Sequence, residues 1–393
     1  MATHSAHNKK SDRAKNVLLA FDWYDHRVFK GIVKHATEAG WHLSPYLFSV
    51  RFVPYGWPAD GAITCCGKEL KKFILSLNMP KVDISVVPLE QPIPRVTVDD
   101  AEVGRMAARH FLERGFTQFA YYSWPIIPVN QLRMTAFFDA LREEGVASDS
   151  LFKINQPPAK TLGDWNRHQS AILSQLRNLP RPLAVFAGQD NLGAILIEIC
   201  VRNGIHVPEE IAVLGVDNTD FMCDCLPVPM SSIDTRLEEL GYQAAQQLER
   251  LMNKELRMNA EPQLLSPLRV VTRQSTDILA VEHPAVVKAL RFIKDHLDQP
   301  ITIDDIGQHV GMSKRGVEKA FMKHLRRSPA SELRMIRLNM AKRLLTETDD
   351  KIEFIAVLCG YSNSSNLSFA FNRDTGMSPC NYRKMYRNAT EQH

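Results

Sequence analysis

Ile303-Asp304-Asp305-Ile306-Gly307-Gln308-His309-Val310-Gly311-Met312-Ser313, continued by Lys314–Leu325, has a second version in the same chain. That version is Ile352-Glu353-Phe354-Ile355-Ala356-Val357-Leu358-Cys359-Gly360-Tyr361-Ser362, continued by residues 363–374. Each is a short amphipathic helix, a small residue that permits close approach, a glycine turn and a second helix. This is the helix-turn-helix pattern, and two in tandem form an all-α domain able to enter two major-groove segments of DNA. Val317, Phe321, Leu367 and Phe371 recur at equivalent places and form the expected core. The start of the second helix meets base edges in such units. That nominates Lys314, Arg315, Glu318 and Lys319 in the first unit, and Asn363, Ser364, Ser365, Asn366 and Ser368 in the second. Lys and Arg suit guanine, and Asn suits adenine. Lys323, Arg326, Arg327 and Arg373 are placed for phosphates, which position without specifying. For any one of these residues the alternative is a solvated helix face.

Charge follows the same division. The 393 residues carry a net charge of +4, yet residues 284–393 hold 18 basic and 12 acidic side chains, leaving 30 basic and 32 acidic in the remainder. A basic module beside a near-neutral one is the electrostatic pattern of a DNA-binding domain attached to something else. Hydrophobic residues make up 45% and charged residues 23% of the chain, which excludes a disordered protein. No apolar run approaches the roughly 20 residues of a membrane helix, so no membrane partner is expected. Residues 1–15 are polar and basic, without an apolar signal segment; they are expected to form a disordered tail on a cytoplasmic protein. The seven cysteines follow no regular framework and lack a C-x2-C pair, which points to free thiols and no metal site.

Ahead of the helical domain the rhythm is different. Apolar strands are expected at Asn16–Phe21, 61–64, 82–87, 118–122, 151–154, Leu183–Ala187 and Ile211–Val216. Helices fall between them at 26–39, 71–77, 101–114, 133–144, 168–176 and 192–203, several closed by glycine. Alternation of this kind over about 270 residues implies parallel sheets flanked by helices, arranged as two lobes. The expected organisation is a two-lobed sensor over 16–276, a linker at 277–284 and the double helix-turn-helix domain over 285–390. The first lobe takes about 16–122 and 234–258, and the second about 123–233 and 259–276. A further helix is expected near 381–387.

The C-terminal hundred residues resemble the AraC-type DNA-binding domain through Gly311-Met312-Ser313, Phe321, Arg337, Ala341, Leu344-Leu345, Ile355-Ala356, Gly360-Tyr361, Phe371, Gly376, Ser378-Pro379 and Tyr382-Arg383. Two positions depart from that pattern. Gly307 replaces the usual Ala, which costs helix stability, and Phe369 stands where the second reading helix often carries Arg, so one DNA contact is expected to be absent. The first 275 residues resemble the LacI/GalR ligand-sensing core, which shares the periplasmic-binding-protein fold. The carrying segments are Val98-Asp99-Asp100, 104–111, Gly115-Phe116, 187–193, 204–208, Gly215-Val216-Asp217-Asn218 and Arg273-Gln274-Ser275-Thr276. That family's N-terminal helix-turn-helix is not found, since the first strand begins near Asn16. The combination resembles the xylose-operon regulators of enteric bacteria, also through Tyr24-Asp25, Gly31, Asp164-Trp165 and 241–245.

Open α/β sheets bind ligands beyond the carboxyl ends of their strands. A sugar needs Asp, Asn or Arg for its hydroxyls and an aromatic plane for its C–H face. Asp190 and Asp217 both end apolar strands, where the resemblance places ligand carboxylates; helix capping is the alternative. The resemblance also makes Arg133 the guanidinium that grips the sugar and Trp165 a pocket aromatic. A surface ion pair and a core Trp are the alternatives. Asp25, His26 and Arg27 follow the first strand, with Asp25 as a helix cap the competing reading. Gln189 and Asn218 complete the set, and Trp23 and Trp124 lie on neighbouring strand-end loops.

No phosphate loop, nucleophile elbow, zinc-protease motif or dinucleotide fingerprint occurs, so neither enzymatic activity nor a cofactor is expected. The resemblance implies a sugar-responsive transcription regulator, with D-xylose as effector and activation as its mode. Its implied partners are DNA, a second copy of the chain and RNA polymerase. A different pentose or hexose, or repression, remains the alternative.

Overall fold

The computed structural model describes residues 13–44, 55–67, 69–87, 91–124, 127–157, 163–256, 261–278, 283–299, 301–325 and 327–384. Two compact units result, Met1–Ile278 and Leu279–His393.

The first unit begins with β1 (Asn16–Phe21), α1 (His26–Glu38), β2 (His42–Leu43), β3 (Gly61–Cys65), α2 (Lys71–Ser76) and β4 (Lys81–Asp83). These strands form a parallel sheet in the order β2-β1-β3-β4. After β5 (Val96–Val98) and α3 (Asp100–Leu112) come β6 (Phe119–Ser123), α4 (Pro128–Glu143), β7 (Leu151–Asn155), α5 (Trp165–Leu176), β8 (Leu183–Ala187) and α6 (Asp190–Arg202). They continue into β9 (Ile211–Val216), α7 (Asp220–Asp224) and β10 (Ser231–Asp234), and then α8 (Leu237–Met252), β11 (Gln263–Leu265) and β12 (Arg269–Val271). The second sheet has the order β12-β10-β9-β8-β6-β7 and is parallel except for the β10–β12 pair. A short parallel β5–β11 pair follows on from the first sheet, joined to β4 by a single bridge between Asp83 and Arg95.

Strands β8 and β9 are buried along their whole length, which is why they read as unbroken apolar runs. In the first lobe α1 places Val28, Phe29 and Ile32 in one core with α8. The two helices cross so closely that a Cβ on Gly31 would overlap the Glu238 carbonyl, and one on Gly241 the Val28 carbonyl.

Several expectations shift. Phe119–Tyr122, assigned above to the first lobe, is hydrogen-bonded inside the second sheet, between β7 and β8. Residues 263–265, assigned to the second lobe, pair instead with β5. The strand expected over 82–87 ends at Asp83, whose carboxylate accepts Ser85 N–H at 2.8 Å and turns the chain. Helix α4 starts at Pro128 rather than 133, with the proline in its first turn where no amide donor is needed. Helix α8 was not anticipated, although its spacing of apolar residues is helical. Residues 1–12 of the expected tail lie outside the described residues, while Arg13 reaches Asp60 at 3.1 Å and Lys15 reaches Asn253 at 2.8 Å. Of the expected linker, 279–282 also lie outside the described residues.

The second unit contains α9 (Pro284–Asp295), α10 (Ile303–Val310), α11 (Lys314–Leu325), α12 (Pro329–Glu347), α13 (Ile352–Leu358) and α14 (Ser364–Thr375). Residues 379–384 are helical, and the rest of the helix expected at 381–387 is outside the described residues. Two small cores form. One joins α9, α10 and α11 through Leu290, Ile293, Ile306, Val317 and Phe321; the other joins α12, α13 and α14 through Ala341, Leu345, Ile355, Leu367 and Phe371. Helix α12 touches both, by Leu333 and Ile336 on one side and Leu338 on the other. No described helix is long and apolar enough to cross a membrane.

Candidate functional site

Arg133 is the centre of the first candidate site. It points inward from α4 and is buried. Its Nε donates to Asp100 Oδ1 at 2.7 Å and its Nη1 to the Gly188 carbonyl, also at 2.7 Å, just past the end of β8. Its Nη2 lies 3.8 Å from Asp217 Oδ1, just past the end of β9. Burial works against the charge, but the Asp100 and Asp217 carboxylates outweigh it and hold the guanidinium's pKa above its ordinary value. The 3.8 Å gap is too long for a hydrogen bond and leaves a donor and an acceptor facing the same space.

Asp217 is held by its backbone as much as by its side chain. It has φ 95°, and Asn218 has φ 47°, both in the left-handed region that non-glycine residues seldom occupy. Such strain persists only where surrounding bonds enforce it, and it concentrates at functional loops. Thr235 Oγ1 donates to Asp217 Oδ1 at 2.9 Å. Arg273 Nη1 donates to Asn218 Oδ1 at 2.9 Å, while its Nε meets Asp224 at 2.6 Å.

Asp190 lies just past the end of β8, and its carboxylate is held by the protein. Its Oδ1 accepts Ser232 Oγ at 2.6 Å and its Oδ2 accepts Thr219 N–H at 2.7 Å, so both oxygens are engaged by the protein. It braces the 217–219 loop from below, and Gly215 leaves it room, since a Cβ there would overlap Asp190 Oδ1. Burial, and then the Asp217 charge, push its pKa up to about 7 against the pull of its donors. A carboxyl whose folded pKa lies above its unfolded one favours the folded state at low pH. That advantage is complete below about pH 4 and disappears as pH rises through about 7. Asp190→Asn cannot ionise, so urea midpoints of the variant are expected to fall less between pH 4 and 7 than those of the parent chain. Parallel pH profiles would contradict this assignment.

The first lobe contributes Asp25 and Arg27. Asp25 caps α1 by accepting Arg27 N–H at 2.9 Å, as its capping alternative proposed. Burial raises its pKa, but the hydrogen bonds and charge of Arg27 win and hold it below the ordinary value. The Arg27 guanidinium pairs with Asp25 at 2.8 Å and reaches across to the second lobe. There it donates to the carbonyls of Asp217 and Asn218, the latter at 3.0 Å, and to Thr219 Oγ1 at 3.3 Å. Arg27 thus clasps the two lobes together over the strained loop. His26 opens α1 and is exposed, Gln189 is the N-cap of α6, and Trp165, 40% exposed, opens α5 with its ring edge-on to His168. The structure brings Arg133, Asp217, Asn218 and Arg27 together directly, with Asp190 beneath them.

Sequence reasoning missed Asp100, Thr219, Ser232, Thr235 and Asn130. Asn130 lies one turn before Arg133 on the same helix and is buried, with no partner for its Oδ1 among the described residues. Its spacing from Arg133 was the only available signal.

The second candidate site is the pair of reading helices. Thr302 and Asp305 form a reciprocal capping box at the start of α10, and Gly311 closes that helix with φ 70°. Gly307, expected to be a defect, has a steric reason, since a Cβ there would lie 2.6 Å from the Met312 carbonyl. Lys314, Arg315, Lys319 and Lys323 are exposed on α11, and among the described residues none pairs with a carboxylate; Glu318 is half-buried. On α14, Ser365, Asn366 and Arg373 are exposed, and Ser364 and Ser368 are half-buried. Asn363 is the N-cap, its side chain accepting Asn366 N–H at 2.8 Å, and the Asn366 amide donates to Ser362 Oγ at 2.7 Å. Both Asn side chains therefore shape the helix start. Arg327 lies 3.6 Å from Glu332, and Arg326 is outside the described residues.

Comparison with known proteins agrees with this division. Residues 108–276 match the periplasmic binding protein-like domain, and residues 306–385 match a helix-turn-helix domain. The xylose operon regulatory protein of Escherichia coli (strain K12) is 26% identical over 372 residues, covering 92% of this chain and 94% of that protein. The solved structure of the xylose-binding transcription activator XylR superposes with a TM-score of 0.72 at 25% identity, covering 95% of this chain and 99% of that one. The HTH-type transcriptional regulator ArgR of Pseudomonas aeruginosa is 32% identical over 109 residues, 28% of this chain and 33% of its own. The chain thus joins a periplasmic binding protein-like domain to a helix-turn-helix domain, and over nearly its whole length it is similar to the xylose operon regulatory proteins.

Proposed function

We propose that the chain is a sugar-responsive, sequence-specific DNA-binding transcription regulator, with D-xylose as effector and activation as its mode. One observation carries the sensing role. A buried, charged Arg133 and the strained Asp217 lie 3.8 Å apart, short of a direct hydrogen bond, at the carboxyl ends of β8 and β9. An aldose hydroxyl both donates and accepts, so it can complete this pair where an apolar ligand would leave both groups unsatisfied. D-xylose and activation are supported by the relatives' names, and DNA reading by the exposed basic side chains of α11. The proposal includes a homodimer that sets the spacing of two readers, and contact with RNA polymerase at the promoter. Sugar binding shifts the balance between two arrangements only by its differential affinity for them.

Titration calorimetry against D-xylose, L-arabinose, D-ribose and D-glucose tests the effector. Binding of D-xylose is expected, weakened at least tenfold in Asp217→Asn, since a hydrogen bond to a charged group is worth about 1.5–3 kcal/mol. Heat with another aldose but none with D-xylose would replace the effector, and heat with none would remove the sensing role.

A further inference from the structure

We propose that Phe369 reads the 5-methyl group of a thymine in the major groove. This rests on the DNA-reading role given above. Helices α11 and α14 have the same burial register when displaced by fifty residues. Val317 and Leu367, Ala320 and Ala370, and Phe321 and Phe371 point into their cores. On the outward side Arg315 corresponds to Ser365, Lys319 to Phe369 and Lys323 to Arg373. Phe369 therefore occupies the second reader's counterpart of a basic, DNA-facing position in the first.

Its surroundings fit that role. Phe369 is 71% exposed. Ser365 and Asn366 precede it by four and three residues and Arg373 follows by four, so all share one face of α14. The Arg373 guanidinium lies 5.9 Å from the ring centroid, which steadies the ring and sets a positive charge beside it. A lone exposed aromatic is ordinary on a protein surface. An aromatic steadied by a cation on a base-reading face meets a surface that is anionic at the phosphates and apolar at one kind of base group. Among the groups displayed in the major groove, only the thymine methyl is apolar. Against any other base edge the ring would cover donors or acceptors without replacing their water, so the contact also rejects the alternatives. The adjacent guanidinium is drawn to phosphate, which favours DNA over an apolar protein partner.

The test uses the full chain and a sequence selected by it from random DNA. Each thymine is replaced in turn by deoxyuridine, which lacks only the methyl. At one thymine of the second reader's segment the wild-type chain is expected to lose roughly three- to tenfold in affinity. Phe369→Ala is expected to bind more weakly from the start and to be indifferent to that replacement, and Phe369→Arg to prefer guanine there. A selected sequence with no methyl effect that vanishes in Phe369→Ala would overturn the proposal while leaving DNA reading intact. Failure to enrich any sequence would instead overturn the DNA-reading role and this proposal with it. Unchanged DNA affinity in Phe369→Ala, with lost activation by purified RNA polymerase, would overturn it in favour of a polymerase contact.

Discussion

Arg133→Ala is expected to abolish the sugar response and to lower the unfolding free energy by about 3–5 kcal/mol, the cost of breaking a buried ion pair. The structural part follows from Asp100. Its carboxylate is buried and its ion pair is with Arg133 at 2.7 Å, so truncation strands a charge away from water. The Gly188 carbonyl at the end of β8 loses its donor in the same step. The functional part follows from Nη2, the one guanidinium nitrogen directed toward Asp217. The two parts separate in a double-mutant cycle. Adding Asp100→Ala removes the stranded charge and is expected to recover a sizeable fraction of the stability, while sugar binding remains lost. Thermal unfolding with calorimetry reads both. A double variant no more stable than Arg133→Ala would show that the pair is not the source of the loss.

Gly31→Ala is expected to cost about 3 kcal/mol or more, out of proportion to a single methyl group. The methyl would overlap the Glu238 carbonyl and press on Tyr242 N, both backbone atoms of α8 that no rotamer change can move aside. The helices must then separate, and the contacts of Val28, Ile32, Leu240 and Ala244 in the first-lobe core loosen with them. Gly241→Ala, which presses on Val28 from the other side, is expected to act alike. Urea unfolding followed by tryptophan fluorescence reads the effect. A change within about 0.5 kcal/mol, typical of a surface position, would mean that the helices do not cross this closely.

Local signals were legible in the sequence and distant pairings were not. The readers came through because apolar spacing, a small residue and a glycine turn lie within a few residues of each other, as in Ile306, Gly307 and Gly311. Strands β1, β8 and β9 were readable to the residue because both their faces are buried and the chain shows unbroken apolar runs. Short strands such as β2, β5 and β11 carry only two or three residues each and leave no such run. The placement of β6 in the second sheet depends on its neighbours β7 and β8, about thirty and sixty residues onward, which periodicity cannot show. Asp190, Asp217 and Asn218 were located by the strand-end rule and Arg133 by resemblance, but their division of labour was not. That Asp190 gives both oxygens to Ser232 and Thr219, and that Arg27 crosses to the 217–219 loop, are facts of three-dimensional pairing. Gly31 and Gly241 stood out only by resemblance, and their reason is a helix crossing between segments two hundred residues apart.

The most direct measurement is the affinity of the full chain for its selected DNA sequence, by fluorescence anisotropy at fixed salt, with and without saturating D-xylose. The expected result is a shift of about 5–150-fold, the usual range of a coupling free energy, reciprocated as an equal shift in sugar affinity when DNA is present. Asp217→Asn should retain DNA binding without the shift. DNA affinity that D-xylose and the other aldoses leave unchanged would contradict the claim that a sugar in this cleft controls the reading of DNA.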